Sequence, residues 1–132
     1  MTRQMKELES ELPPNSQARL VSLTTNPDTD TPEVLKRYAQ QYDANLNRWT
    51  FLTGTKKEIK HLAMDGLRLA LEEKPAAERE TENDLFIHST LFVLVDKQAR
   101  LRGVFETSGE DVDWPSTRKK ILAAIQQLEQ EK

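Results

Sequence analysis

The most chemically suggestive residue of the chain is a histidine at the entrance of an apolar segment. His88 is followed by Ser89 and Thr90, and then by an unbroken apolar run at 91–95. An imidazole can bind a metal ion or transfer a proton near neutral pH. A single histidine at a strand end is more often a hydrogen-bonded structural residue, because ligands and catalytic bases come in groups. Chemistry at His88 therefore needs partners from elsewhere.

The other residue types that carry chemistry are absent or poorly arranged. The chain contains no cysteine, which excludes a disulfide, a thiol nucleophile and a thiolate metal site within it. His61 lies one position off the apolar stripe of its predicted helix, and we interpret it as a surface histidine. The acidic residues of 72–84 lack the spacing of a calcium loop, which favours a solvated loop. No Ser-His-Asp or carboxylate pair can be assigned by motif, so we do not predict an enzyme.

The length of 132 residues predicts one domain, residues 1–132. Charged residues make up 31% of the chain and apolar residues 36%. The net charge of −3, without a basic stripe, argues against nucleic-acid binding. No stretch reaches the roughly 18 apolar residues of a membrane span, and the first residues include no apolar segment that could act as a signal peptide.

Hydrophobic periodicity, capping residues and turn residues predict eight elements. Thr31 and Pro32 are expected as N-cap and first residue of a helix, and Thr55 with Glu58 has the spacing of a capping box. The elements are, in order, a helix at 2–12, a strand at 19–25, a helix from Thr31 to about Tyr42, a strand at 49–52, a helix after Thr55, strands within 86–96 and at 101–106, and a helix at about 115–130.

This order predicts an α/β sandwich that is incomplete at its beginning, because the first helix starts abruptly at the chain terminus. Strands followed by crossover helices pair in parallel, and 101–106 should return as an antiparallel hairpin partner of the central strand. The apolar run at 91–95 favours a strand covered on both faces. The helix after Thr55 should carry Ile59, Leu62, Ala63 and Leu67 on one side.

Three stretches together resemble the SCO/SenC family of thioredoxin-like proteins. They are Leu20-Val-Ser-Leu-Thr-Thr-Asn-Pro-Asp-Thr-Asp-Thr-Pro32, Phe51-Leu-Thr-Gly-Thr55 and Ile87-His-Ser-Thr-Leu-Phe-Val-Leu-Val-Asp96. The resemblance spans essentially the whole chain, and it implies a thioredoxin-like three-layer sandwich with a mixed sheet, lacking its first strands and the start of its first helix. Two departures are Asn26, where the family often has Asp before Pro, and Ala99, where Gly is usual in the hairpin turn.

The resemblance also implies a function. Members of the family bind copper and help to mature the copper centre of respiratory cytochrome c oxidase, so the implied partner is its copper-bearing subunit. They are usually tethered to a membrane and face the periplasm or the mitochondrial intermembrane space. Their metal site uses two cysteines of a Cys-x-x-x-Cys motif and one histidine, which His88 matches by its motif. In the family the two cysteines precede a helix, and residues 2–12 of this chain match the end of that helix.

Copper chemistry is incomplete in these residues. Two thiolates suit Cu(I) because they are soft ligands, and one imidazole alone cannot chelate. We therefore expect negligible specific copper affinity from the chain as it stands. Two interpretations remain open, a fragment of a copper chaperone whose metal ligand is His88, and a cysteine-free thioredoxin-like module that binds a partner without metal. In the first, His88 should lie in a surface cleft near the N-terminal helix.

The implied topology also bears on association. If the family topology holds, a strand absent from this chain lies between 19–25 and 87–95. Unpaired edges of apolar strands invite association, so we expect pairing with other chains or a marginal monomer.

Overall fold

The computed structural model describes residues 1–24, 26–62 and 91–131. Within these ranges the chain forms four helices and four strands in the predicted order. They are α1 (Thr2–Glu11), β1 (Leu20–Leu23), α2 (Pro32–Gln41), β2 (Trp49–Leu52), α3 (Lys56–Lys60), β3 (Leu91–Val95), β4 (Leu101–Glu106) and α4 (Trp114–Gln130). The described strands form two two-stranded sheets, β1 with β2 and β3 with β4. In this part of the chain no helix is long and apolar enough to cross a membrane.

The chain divides into two compact units, which are described separately. Unit 1 comprises residues 1–20 and 90–132, and unit 2 comprises residues 21–89. The prediction of a single domain over 1–132 stays a prediction.

Unit 1 contains α1, the β3–β4 hairpin and α4. On α1, Leu8 is buried, and Leu12, just after the helix, is buried as well. In α4 Ile121 is buried and is 4% exposed. The antiparallel pairing of β3 with β4 is also confirmed, with Phe92 opposite Phe105 and a bulge next to Val95.

The hairpin turn is organised by the side chain of Asp96. Its Oδ1 accepts hydrogen bonds from the amides of Gln98 and Arg100, at 2.9 and 3.0 Å. Ala99 has φ 62°, a left-handed conformation in which a Cβ is strained and glycine is favoured. The substitution of Ala for the usual Gly therefore does place strain in this turn.

The expectation that 91–95 is covered on both faces is wrong for the described residues. None of the five is buried, and Val95 is 38% exposed. On one face, Phe92 meets the ring of Trp114 edge-on at 6.0 Å. On the opposite face, Val104 of the partner strand remains 49% exposed. The apolar run at 91–95 therefore indicated a strand correctly, but the burial expected from it was too high.

Unit 2 is built around Trp49, which is fully buried. The Trp49 indole N–H donates to Ser22 Oγ at 2.9 Å, which joins the side chains of β2 and β1. The ring stacks on Phe51 at 4.8 Å, and Phe51 meets Tyr38 of α2 edge-on at 6.2 Å. Through Tyr38, helix α2 therefore packs against β2.

Both predicted helix caps in unit 2 are confirmed. Thr31 accepts a hydrogen bond from the Val34 amide with Pro32 in the first turn, and Thr55 and Glu58 form a reciprocal capping box. The predicted stripe after Thr55 is only partly correct, because Ile59 is 2% exposed whereas Leu62 is 41% exposed. The α-helix ends at Lys60, so the 3.6-residue period does not carry over to Leu62. Ala63, Leu67 and the acidic loop at 72–84 lie outside the described residues.

Candidate functional site

His88 lies outside the described residues, together with Ser89 and Thr90. Its place in a surface cleft near α1 therefore stays a prediction. The structure does give the geometry of helix α1, near which His88 is expected. It also gives the geometry around Asn26, which departs from the pattern of the family.

The buried hydroxyl of Thr24 links the end of β1 to residues 26–30. Thr24 is 8% exposed; its hydroxyl donates to the Asp30 carboxylate and accepts from the Asn26 amide at 2.9 Å. The Asp30 amide in turn donates to the Asn26 carbonyl oxygen at 2.9 Å. These bonds fix the backbone just before the Thr31 cap. The Asn-Pro-Asp-Thr-Asp sequence thus helps to fix the start of α2.

Asn26 presents a buried acceptor in this turn. Its Oδ1 is buried and accepts no hydrogen bond from any described residue. A buried acceptor without a partner costs about 1–3 kcal/mol. Where the family often has Asp, Asn removes a negative charge while it keeps this oxygen. The Asp28 carboxylate pairs with Lys56 at 2.7 Å with both side chains about half exposed, and such a pair contributes little stability.

Helix α1 is fixed by polar contacts that the sequence did not reveal. Glu7 accepts a hydrogen bond from the Trp114 indole N–H at 2.7 Å and another from Arg118 at 2.8 Å. These two donors hold the pKa of the Glu7 carboxyl below its ordinary value, with the Trp114 hydrogen bond the largest cause. At the helix start, the side-chain Nε2 of Gln4 donates to the Thr107 carbonyl oxygen at 2.7 Å. No local pattern could have found these partners, because more than 100 residues separate them.

The described donor set does not fit a chelating copper site. Among residues 1–24, 26–62 and 91–131, no group of three or more His, Asp or Glu side chains is arranged to hold a metal ion. The sequence contains no cysteine and only two histidines. His61 is exposed, as predicted, and lies just after α3. His88 stays a candidate ligand by its motif, and one imidazole without thiolates does not chelate Cu(I).

Comparison with known proteins identifies the family of this chain. The sequence model of the SCO1/SenC family matches residues 1–125. The SCO1 protein homolog of Bacillus subtilis is 31% identical over 118 residues, which cover 85% of this chain and 58% of that protein. The chain thus spans less than two thirds of the length of this relative.

Solved structures show the same fold. A SCO1/SenC family lipoprotein from Bacillus anthracis superposes with a TM-score of 0.77 at 22% identity, covering 98% of this chain and 71% of that one. BsSco, a member of the Sco family of cytochrome c oxidase assembly proteins, gives 0.70 at 26% identity and covers 100% and 69%. Copper-bound ScoI of Bradyrhizobium japonicum gives 0.63 at 16% identity and covers 96% and 71%. The fold is therefore the thioredoxin-like fold of the Sco proteins, and the chain belongs to the SCO1/SenC family.

Proposed function

We propose that this chain is the histidine-bearing portion of an SCO1/SenC-type protein that delivers copper to cytochrome c oxidase during assembly. The observation that carries the proposal is the family match over residues 1–125, which includes the His-Ser-Thr motif at 88–90. Two relatives support it: BsSco is described as a member of a family of oxidase assembly proteins, and ScoI has been solved with copper bound.

In this function His88 supplies one imidazole to a copper ion that is cargo rather than a resident cofactor. Thiolates supply the soft ligands that hold Cu(I), and they must come from outside this chain because it has no cysteine. The role is one of transfer and assembly, not of enzymatic turnover. The corresponding partner is the copper-bearing subunit of the oxidase.

The place of action follows from the same proposal. Delivery to the oxidase requires the periplasmic side of a bacterial membrane, or the mitochondrial intermembrane space. The B. anthracis relative is described as a lipoprotein, which supports attachment to the membrane surface.

Complementation tests this function directly. A bacterial strain that lacks its own SCO1/SenC protein would receive the chain alone, the chain preceded by a thioredoxin-like segment with Cys-x-x-x-Cys, or that fusion with His88→Ala. We expect oxidase activity to return only with the fusion that keeps His88. Equal activity from the fusion with and without His88 would contradict the assignment of this residue.

The alternative function is a cysteine-free thioredoxin-like module that binds its partner without metal. It is favoured by the complete absence of cysteine from 132 residues. Under this alternative the chain alone would restore oxidase assembly, and His88→Ala would leave the result unchanged.

Self-association through exposed strand edges also stays a prediction, and light scattering coupled to size exclusion measures it.

A further inference from the structure

We propose that strand β4 pairs edge to edge and antiparallel with β4 of a second copy of this chain, about a twofold axis at Val104. This pairing is independent of the proposed copper function. It uses the outer edge of the hairpin, on the side away from β3, and it therefore differs from the facing edges of 19–25 and 87–95 where the implied topology predicts association.

The outer edge of β4 is open in the part of the chain that the structure describes. Residues 101–106 pair with β3, and the sheet that the two strands form has no third described strand. In an antiparallel ladder, alternate residues direct their N–H and C=O groups to opposite sides. Part of the β4 backbone therefore points away from β3, and such a row of groups is a template for pairing with another chain.

The side chains of β4 do not shield this edge with a single charge. Val104 at its centre is 49% exposed, and Arg102 and Glu106 are exposed on either side of it. Side chains alternate along a strand, so these three share one face. Charges of one sign along an edge would repel a second copy, whereas β4 carries one charge of each sign, equally far from Val104.

A twofold axis at Val104 makes the strand complementary to itself. Positions equally far from Val104 then lie opposite each other, so Val104 meets Val104, Gly103 meets Phe105, and Arg102 meets Glu106 of the second copy. Opposite charges directly across an antiparallel pair are favourable, and like charges are unfavourable. Parallel pairing in register would instead place each charge against its own kind, which favours the antiparallel arrangement.

Arg102 can take part without losing its contacts within the chain. Its Nη1 and Nη2 donate to Glu131 at 2.8 and 2.7 Å, and Nη1 also donates to Asp96 at 3.2 Å. Arg100 pairs with the same Asp96 carboxylate, so two arginines balance two carboxylates here. The Arg102 side chain is still 30% exposed. Glu106 of a second copy would therefore approach a group that has no net negative charge.

Disulfide trapping tests the register, because the chain has no cysteine of its own. Val104→Cys places the thiol on the axis, where the Cα atoms of an antiparallel pair lie about 4.5–5.5 Å apart, within the span of a disulfide. Glu106→Cys would hold the two thiols about 14 Å apart along the strands. Ala123→Cys, on an exposed part of α4, is the collision control. Under mild oxidation we expect Val104→Cys to form the covalent dimer about tenfold faster than the other two.

Sedimentation velocity tests the pairing without a crosslink. The contact is short, so we expect a weak dimer of the unmodified chain that becomes evident as the concentration rises to about 1 mM. Val104→Glu and Val104→Lys each put like charges on the axis and should be monomeric, whereas an equimolar mixture of the two should dimerise again. Val21→Lys, at a 52% exposed position of β1, is the matched control and should behave like the unmodified chain.

Circular dichroism checks that each variant is folded, and if a charged variant is not, the trapping rates decide alone. A monomer at all concentrations of the unmodified chain would overturn the proposal. So would equal trapping rates at the three cysteine positions, or a mixture of Val104→Glu and Val104→Lys that stays monomeric. None of these outcomes bears on the complementation experiment, because the pairing does not involve His88.

Discussion

Each of the two compact units of the chain is stabilised internally by a different kind of contact. In unit 2, Trp49 is fully buried and stacks on Phe51, which in turn meets Tyr38 edge-on. In unit 1, hydrogen bonds and ion pairs join distant segments, such as Gln4 with Thr107 and Glu7 with Arg118, 103 and 111 residues apart. Buried apolar contacts respond mainly to lost volume, whereas exposed ion pairs respond to pH and salt. The two units should therefore be destabilised by different perturbations.

The largest effect is expected from removing the aromatic centre of unit 2. Trp49→Ala should lower the free energy of unfolding by about 3–5 kcal/mol, because it leaves a cavity and removes the donor to Ser22. Trp49→Phe keeps most of the ring and should cost less. Urea unfolding followed by circular dichroism measures both. A loss below about 1 kcal/mol for Trp49→Ala would show that unit 2 does not depend on this side chain.

Paired glycine substitutions compare the packing of the two units. In β4 of unit 1, a Cβ at Gly103 would lie 2.8 Å from Phe105 Cε2, whereas at Gly54 of unit 2 it would meet nothing closer than 3.8 Å. Gly103→Ala should therefore cost about 1–3 kcal/mol as the Phe105 ring is displaced. Gly54→Ala should be neutral or slightly stabilising. The same urea titration applies, and equal effects at both positions would contradict the described packing.

The strained hairpin turn of unit 1 offers a stabilising change. Ala99→Gly should raise the free energy of unfolding by about 1 kcal/mol, because φ 62° is unfavourable for a Cβ. The same substitution at Ala123, an exposed position within α4, should lower it by about 1 kcal/mol. Differential scanning calorimetry distinguishes the two signs. A destabilising Ala99→Gly would mean that this turn relaxes without strain.

The smallest effect is expected from the charge network of unit 1 in acid. Asp96 accepts backbone hydrogen bonds in the turn and pairs with Arg100 and Arg102. The backbone hydrogen bond from Arg100 is the largest cause that lowers the Asp96 pKa to about 2, from an ordinary value of 3.8. Its contribution is therefore complete above pH 3.8 and is lost as the pH falls toward 2.

The melting temperature as a function of pH measures this contribution. Asp96→Asn should lower the melting temperature at neutral pH and flatten its decline across that acidic interval. Glu110→Gln, outside the network, serves as the control and should follow the unmodified chain. Parallel curves for Asp96→Asn and the unmodified chain would show that the network adds nothing to stability.

The sequence predicted what depends on neighbouring residues and missed what depends on distant ones. The Thr31 cap and the Thr55–Glu58 capping box were predictable because each is encoded within four residues. The attachment of Glu7 to Trp114 was not, because no local pattern specifies a partner 107 residues away.

The burial of β3 was overestimated for a related reason. An apolar run records the character of a strand, but its exposure depends on which elements cover each face. The candidate ligand His88 was assigned by resemblance alone. The buried Asn26 Oδ1 became evident only from the three-dimensional arrangement.

We propose that this chain supplies one imidazole and no thiolate for copper binding, and one imidazole alone does not chelate Cu(I). Titration with Cu(I) against a competing chelator, on the unmodified chain and on His88→Ala, tests whether the chain holds copper by itself. We expect the competitor to remove all copper from both proteins. A one-to-one complex that survives the competitor and disappears in His88→Ala would contradict it.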